Sequence, residues 1–204
     1  MPPLPGMLGG LNIRLSVDGV GVNLPSGRVE DNGTFKIAGV NPGKYYIAIT
    51  GAPGTYIKQM TFAGQDVTRR QLDLTGAGGS LNIVVSKKVA ELSGAVANSR
   101  GEPMAGANVS VWPRIPNLAI ANGGVRTLTT DQNGAFRMAN MIPGDYYAAA
   151  WEDLPDPGLG QYAAFLAGFN GEAASVKLDE NGKQTVQAKL VERAKIAAQI
   201  AKLP

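Results

Sequence analysis

The side chains best suited to proton transfer and soft-metal binding near neutral pH are missing, since the 204 residues include no histidine and no cysteine. That excludes Ser-His-Asp and Cys-His nucleophiles, imidazole and thiolate metal ligands, and disulfides. Any chemistry would have to come from carboxylates, amines and hydroxyls, or from a hard cation held by oxygen. Glu152, Asp153 and Asp156 are close enough in sequence to offer carboxylates to Ca²⁺, although a solvated loop after a strand is the plainer reading. Asp131-Gln132-Asn133-Gly134 has the start of a calcium loop but lacks the later acidic ligands and the closing Glu. Its counterpart Asp31-Asn32-Gly33 points to a hairpin instead. Trp151, Tyr162 and Phe165, with Trp112 and Phe169, could stack on sugar rings or meet a partner. The competing reading is that Tyr162 and Phe165 pin a short helix, because a connection as long as 152–172 needs apolar anchors. Sixteen acids always permit some pair for glycoside hydrolysis, so that reading has no specific support. The sequons at Asn32 and Asn108, and Lys87 or Lys88 as partners in a Lys–Asn cross-link, are equally unspecific. No catalytic residue, cofactor or bound metal is expected.

Composition narrows the elements that could position these groups. Gly (27) and Pro (13) are frequent, as in chains of short strands and many turns. The net charge is +3, and the only adjacent basic pairs are Arg69-Arg70 and Lys87-Lys88, too thin for a nucleic-acid footprint. No run of apolar residues is long enough to span a bilayer, and Met1-Pro2-Pro3-Leu4-Pro5-Gly6 lacks the features of a signal peptide. The absence of cysteine leaves the compartment open, because many bacterial surface proteins avoid it.

The chain matches itself at an offset of 101 residues: Asn32-Gly33-Thr34-Phe35 with Asn133-Gly134-Ala135-Phe136, and Pro42-Gly43-Lys44-Tyr45-Tyr46 with Pro143-Gly144-Asp145-Tyr146-Tyr147. A period of this length marks a duplicated domain. Within each copy the pattern is that of strands. Leu11, Ile13, Leu15 and Val17 alternate with Asn12, Arg14, Ser16 and Asp18, the period of a half-buried strand. Further strands are predicted over 34–38, 45–50, 56–62 and 81–86. In the second copy they fall at 90–96, 107–112, 125–130, 135–138, 146–151, 175–178 and 185–191. Asn-Gly at 32–33, 133–134 and 181–182 predicts hairpin turns with positive φ, and Pro-Gly at 42–43 and 143–144 predicts turns ahead of the Tyr strands. Tyr45, Ile47 and Ile49, like Tyr146, Ala148 and Ala150, should face a core. Helix is predicted over 161–167 and in the tail 192–203, where Ile196, Ile200 and Leu203 share a face that should dock on something.

The second copy is similar to a known family. Leu92-Ser93-Gly94-Ala95-Val96 and Arg100 through Val109 resemble the opening hairpin of carboxypeptidase-regulatory-like domains, with its xSGxVxDxxGxPxxGAxV pattern. Thr130 through Phe136 and Ile142-Pro143-Gly144-Asp145-Tyr146 continue the resemblance, which covers about 88–192. It implies a transthyretin-like sandwich. It does not imply the zinc site of the carboxypeptidase that such domains accompany. Tyr56-Ile57-Lys58, Gly64-Gln65-Asp66-Val67 and Trp151-Glu152-Asp153 also resemble multi-module envelope proteins of soil bacteria such as acidobacteria. The first copy departs from the pattern: it matches from Leu11 onward but lacks the opening strand and turn. Either the chain is a piece of a longer protein, or a strand from elsewhere completes that module.

The expectation is therefore all-β: two tandem transthyretin-like or Ig-like sandwiches, the first without its opening strand, followed by a short helix. The expected domains are 1–88, 89–193 and a tail 194–204. The expected role is a non-catalytic structural or adhesive module pair of a secreted or cell-envelope bacterial protein, with a glycan or protein partner. The alternative is a self-assembling filament or sheath subunit, its first sandwich completed by a neighbouring chain and its tail (Ile196, Ile200, Leu203) seeking a partner.

Overall fold

The computed structural model describes residues 10–17, 24–68, 70–76, 79–115 and 124–203. Asp18, Arg69 and the stretch Met1–Gly6 lie outside the described residues. The chain is all-β with a short C-terminal helix, and it divides into two compact units at Lys87 and Lys88.

In the first unit, β1 (Asn12–Ser16), β2 (Ser26–Arg28), β3 (Lys44–Thr50) and β6 (Leu72–Asp73) form an antiparallel sheet in the order β2-β1-β3-β6. A second sheet, β5-β4-β7, is built from β4 (Tyr56–Phe62), β5 (Gln65–Asp66) and β7 (Leu81–Ser86). Alternation puts Ile13 and Leu15 of β1 against Tyr45 and Ile47 of β3, and Ile57 and Met60 of β4 close the same core. Between β4 and β5 the chain turns through Ala63 and Gly64, both with positive φ (48° and 81°). This is the two-residue hairpin geometry that Asn-Gly usually provides.

The second unit opens with β8 (Ala90–Ala95), which lies between β11 (Ala135–Met141) and β14 (Lys183–Gln187) in one sheet. The other sheet runs β10 (Arg126–Thr129), β9 (Asn108–Pro113), β12 (Gly144–Trp151), β13 (Ala174–Leu178). β15 (Lys189–Val191) pairs parallel with β12 beyond the end of β13, so the chain crosses from one sheet to the other at the buried Ala188. Leu92, Val109, Val111, Phe136, Met138, Tyr146, Ala148 and Ala150 fill the space between the sheets.

The two units share registers as well as motifs. Ile13 pairs with Gly27 and Ile49, while Val109 pairs with Leu128 and Ala150, which are Gly27 and Ile49 shifted by 101. Both Asn-Gly loops adopt one geometry: Glu30 N–H donates to Thr34 O (2.8 Å) and Gly33 N–H to Glu30 O (2.9 Å), as Asp131 N–H does to Ala135 O (2.8 Å) and Gly134 N–H to Asp131 O (3.0 Å). These are three-residue hairpin loops in which the glycine alone takes positive φ (84° and 70°). At 181–182 Asn181 carries the positive φ (55°) and Gly182 does not.

Pro-Gly serves a different purpose from the one predicted. The Tyr45 hydroxyl donates to Asn41 O (2.8 Å) and the Tyr146 hydroxyl to Ile142 O (2.7 Å), so each phenol folds back over the Pro-Gly step. A Cβ on Gly43 would sit 3.2 Å from the Tyr45 hydroxyl. This is a tyrosine corner, present once in each unit. The positive φ falls three residues before each proline, at Gly39 (70°) and Asn140 (57°).

Other expectations are corrected. Residues 34–38 are not a strand, and only Phe35 forms a bridge, to Val29. Their counterparts in β11 pair with β8, and no described strand of the first unit occupies that place. The helix expected over 161–167 divides at Tyr162 into a 3-10 turn (Pro157–Gln161) and α1 (Ala163–Ala167). The tail helix, α2 (Arg193–Ile200), docks as its apolar face requires: Ile196 is buried, and Ile200 and Leu203 pack beside it on the second unit.

Candidate functional site

The expected aromatic surface proves to be a second core. β12 is buried on both faces: Tyr146, Ala148 and Ala150 point between the sheets, while Ala149 and Trp151 point outward under the 152–172 connection and α2. There the Trp151 ring lies 5.3 Å from Phe165 and 5.1 Å from Phe169, edge-on or tilted, the geometry that aromatic quadrupoles favour. Trp151 is 1% exposed and Phe165 0%. Neither can present a face to a sugar, so both are withdrawn as glycan or partner contacts. Tyr162 alone of the three candidates reaches solvent, at 45% exposure, and it does not anchor the helix as Phe165 does.

Polar bonds lock this layer. Trp151 Nε1–H donates to Ser110 Oγ (2.7 Å), and the Ser110 hydroxyl donates onward to Gly160 O (2.7 Å), joining β12, β9 and the 3-10 turn through a fully buried hydroxyl. Trp112 Nε1–H donates to Asn170 Oδ1 (2.9 Å), tying the far end of the connection to β9. The Arg114 guanidinium lies 5.1 Å from the Tyr147 ring centroid, a cation–π contact at the rim.

The three carboxylates of the calcium reading are held apart by other partners. Glu152 Oε2 accepts from Arg193 N–H (2.8 Å), Asp153 pairs with the Arg193 guanidinium, and Asp156 Oδ1 caps the 3-10 turn by accepting from Gly158 N–H (2.8 Å). Among the described residues no group of three acids could hold a metal ion, so the calcium reading is withdrawn. Asp131 Oδ1 accepts from Asn133 N–H (2.8 Å) and Ala135 N–H (2.9 Å), which fixes the hairpin.

Two of the concavities among the described residues are roomy enough to matter. One, of about 930 Å³, is lined in the second unit by Asn98, Arg100, Glu152, Lys189, Glu192 and Arg193, an open mixture of both charges. The other, about 580 Å³, belongs to the first unit. Phe35, Ile37 and Val40 line one bank and Phe62, Gly79 and Leu81 the other, with Leu15 and Leu72 among its lining residues. The perturbed titrations have structural causes: burial pushes the Tyr146 phenol up to about 12, and the bond from Arg137 holds Glu91 below the usual carboxylate range.

Sequence reasoning missed Ser110, Asn170 and Arg193, which lock the outer layer, and gave the corner tyrosines only a core-facing role. The corner had a signal, a Tyr two residues after each Pro-Gly. The locks had none, since their partners lie 40 to 58 positions away.

These features define a class of protein: paired all-β sandwich modules whose distinctive side chains are engaged internally. No family model matches the chain, and no curated protein matches it. Among solved structures it is similar to the minor pilin GBS52 of Streptococcus agalactiae (16% identity, 90% of this chain and 82% of that one, TM-score 0.35). It is similar also to the major pilin subunit of Bacillus cereus (16%, 90% and 54%, TM-score 0.35). A third is a proposed carbohydrate-binding protein of Pseudomonas aeruginosa (16%, 52% and 88%, TM-score 0.30). Likenesses this loose carry no functional argument, and the reading below rests on the residues.

Proposed function

We propose that this chain is a non-catalytic structural module pair of a secreted or cell-envelope bacterial protein, with the second unit a carboxypeptidase-regulatory-like domain. The observation that carries the reading is the internal use of the candidate chemistry. The carboxylates cap and pair, the indoles donate to Ser110 and Asn170, and the corner phenols close their own loops. No helix of the described residues is long and apolar enough to cross a membrane. Glycan contact would have to run through Tyr162 without the neighbouring rings.

Force spectroscopy on the full chain tests the spacer role. Two separate unfolding steps are expected, the weaker from the first unit, whose 34–38 segment has no ladder partner among the described residues. A single featureless extension at low force would contradict it. Recovery of the protein from the cytosol of its source cells would contradict the envelope placement.

A further inference from the structure

The second unit shows what fills the position left open in the first. Leu92 pairs with Met138 of β11 and with Gln184 of β14, and Gly94 pairs with Phe136 and Val186. The fit at Gly94 is specific. A Cβ there would lie 2.4 Å from the Phe136 ring and 2.3 Å from Val186 O, so the ring rests on bare backbone. Glu91 on the same strand bonds the Arg137 guanidinium at 2.5 Å.

Shifted by 101, Phe136, Arg137 and Met138 become Phe35, Lys36 and Ile37. All three line the 580 Å³ groove, whose opposite bank, Gly79 to Asn82, runs into β7. β7 pairs with β4 along one edge and ends its sheet; shifted by 101 it corresponds to β14, whose ladder partner among the described strands is β8. Phe35 and Ile37 are only half-buried, and Val84 on β7 is 50% exposed. An unpaired strand edge beside apolar surface is a template for another strand.

We infer that this groove is a docking site for an extended polypeptide segment from outside these 204 residues, bearing the pattern Glu-Leu-x-Gly-x-Val. The leucine would fill the position of Leu92 beside Ile37, the glycine would admit the Phe35 ring, and the acid would meet Lys36 as Glu91 meets Arg137. The pattern occurs once in the chain, at Glu91–Val96, where it already serves the second unit.

The test adds a synthetic peptide with the sequence of Ala90–Val96 to the full chain and follows amide hydrogen exchange. Saturable slowing at 34–38 and 82–86, the counterparts of the β11 and β14 residues that pair with β8, is expected, with 135–138 unchanged. A peptide carrying Gly94→Val should bind about tenfold or more weakly, because forcing extra methyl groups against Phe35 costs at least about 1.4 kcal/mol. Phe35→Ala in the protein should weaken the unsubstituted peptide. No slowing at millimolar peptide, equal slowing by both peptides, or slowing confined to 135–138 would overturn the inference. Concentration-dependent dimers that protect 34–38 without peptide would also overturn it, assigning the groove to a second copy. The two-step force curve does not depend on this result, so the structural role fails or stands separately.

Discussion

Tyr146→Phe isolates the tyrosine corner. At neutral pH the variant loses the 2.7 Å bond to Ile142 O and nothing else of its size, a cost of about 1 kcal/mol. The larger signature is alkaline. The phenol is 6% exposed, and burial raises its pKa from 10.0 to about 12, with the nearby Arg126 charge opposing the shift. Between those values the folded chain holds a proton that the unfolded chain releases, so stability falls as pH rises. The contribution is complete below pH 10.0, the unfolded value, and is lost as pH passes through about 12. Two units correspond to about 2.7 kcal/mol. Both tryptophans, Trp112 and Trp151, lie in the second unit, so urea unfolding followed by tryptophan fluorescence reports that unit alone. Other tyrosines and lysines titrate in the same range, so the measure is the difference between wild type and variant. It should move by about 2 kcal/mol against the wild type from pH 9 to pH 12, reversing sign so that the phenylalanine variant becomes the more stable. A difference that stays constant would refute burial as the cause.

Phe165→Ala should lower the second unit's stability by about 3–5 kcal/mol, whereas Tyr162→Ala should change it by no more than about 0.5 kcal/mol. Both are read by the same fluorescence titration, and equal effects would contradict the assignment of one ring to the core and the other to the surface. Ile196→Ala should cost about 2–5 kcal/mol and expose α2 to proteolysis, and an unchanged midpoint would mean that the tail does not dock. Ala63→Asn should stabilise the first unit by about 1 kcal/mol, because alanine is strained at φ 48°, and calorimetry of the first transition checks it.

The duplication was legible because it rests on short-range chemistry. The glycines at 33 and 134 need positive φ, the Tyr strands alternate, and the runs at 56–62 and 81–86 became strands over those same residues. Residues 34–38 had the same local pattern as 135–138 yet form no ladder among the described residues. A strand needs a partner, and local sequence does not show whether one is present. The aromatic candidates went wrong for a related reason. Trp151 and Phe165 suggested a surface because they lie beside or within the long 152–172 connection, but that connection covers the outer face of β12 and both rings are buried beneath it. Ile196 and its neighbours were legible as an apolar face but not as one with a partner, because the Trp151–Phe165 cluster that receives them is assembled from distant segments. Glu152, Asp153 and Asp156 looked like a cluster by spacing alone, and the main chain separates them to cap and to pair.

Native-state hydrogen exchange on the unmodified chain compares the two copies directly at the position where they differ. Amides in 135–138 should exchange slowly, held against β8, while those in 34–37 exchange orders of magnitude faster on the same molecule. Equal protection of both segments would mean that the first sandwich is already complete, and the open strand position would not exist.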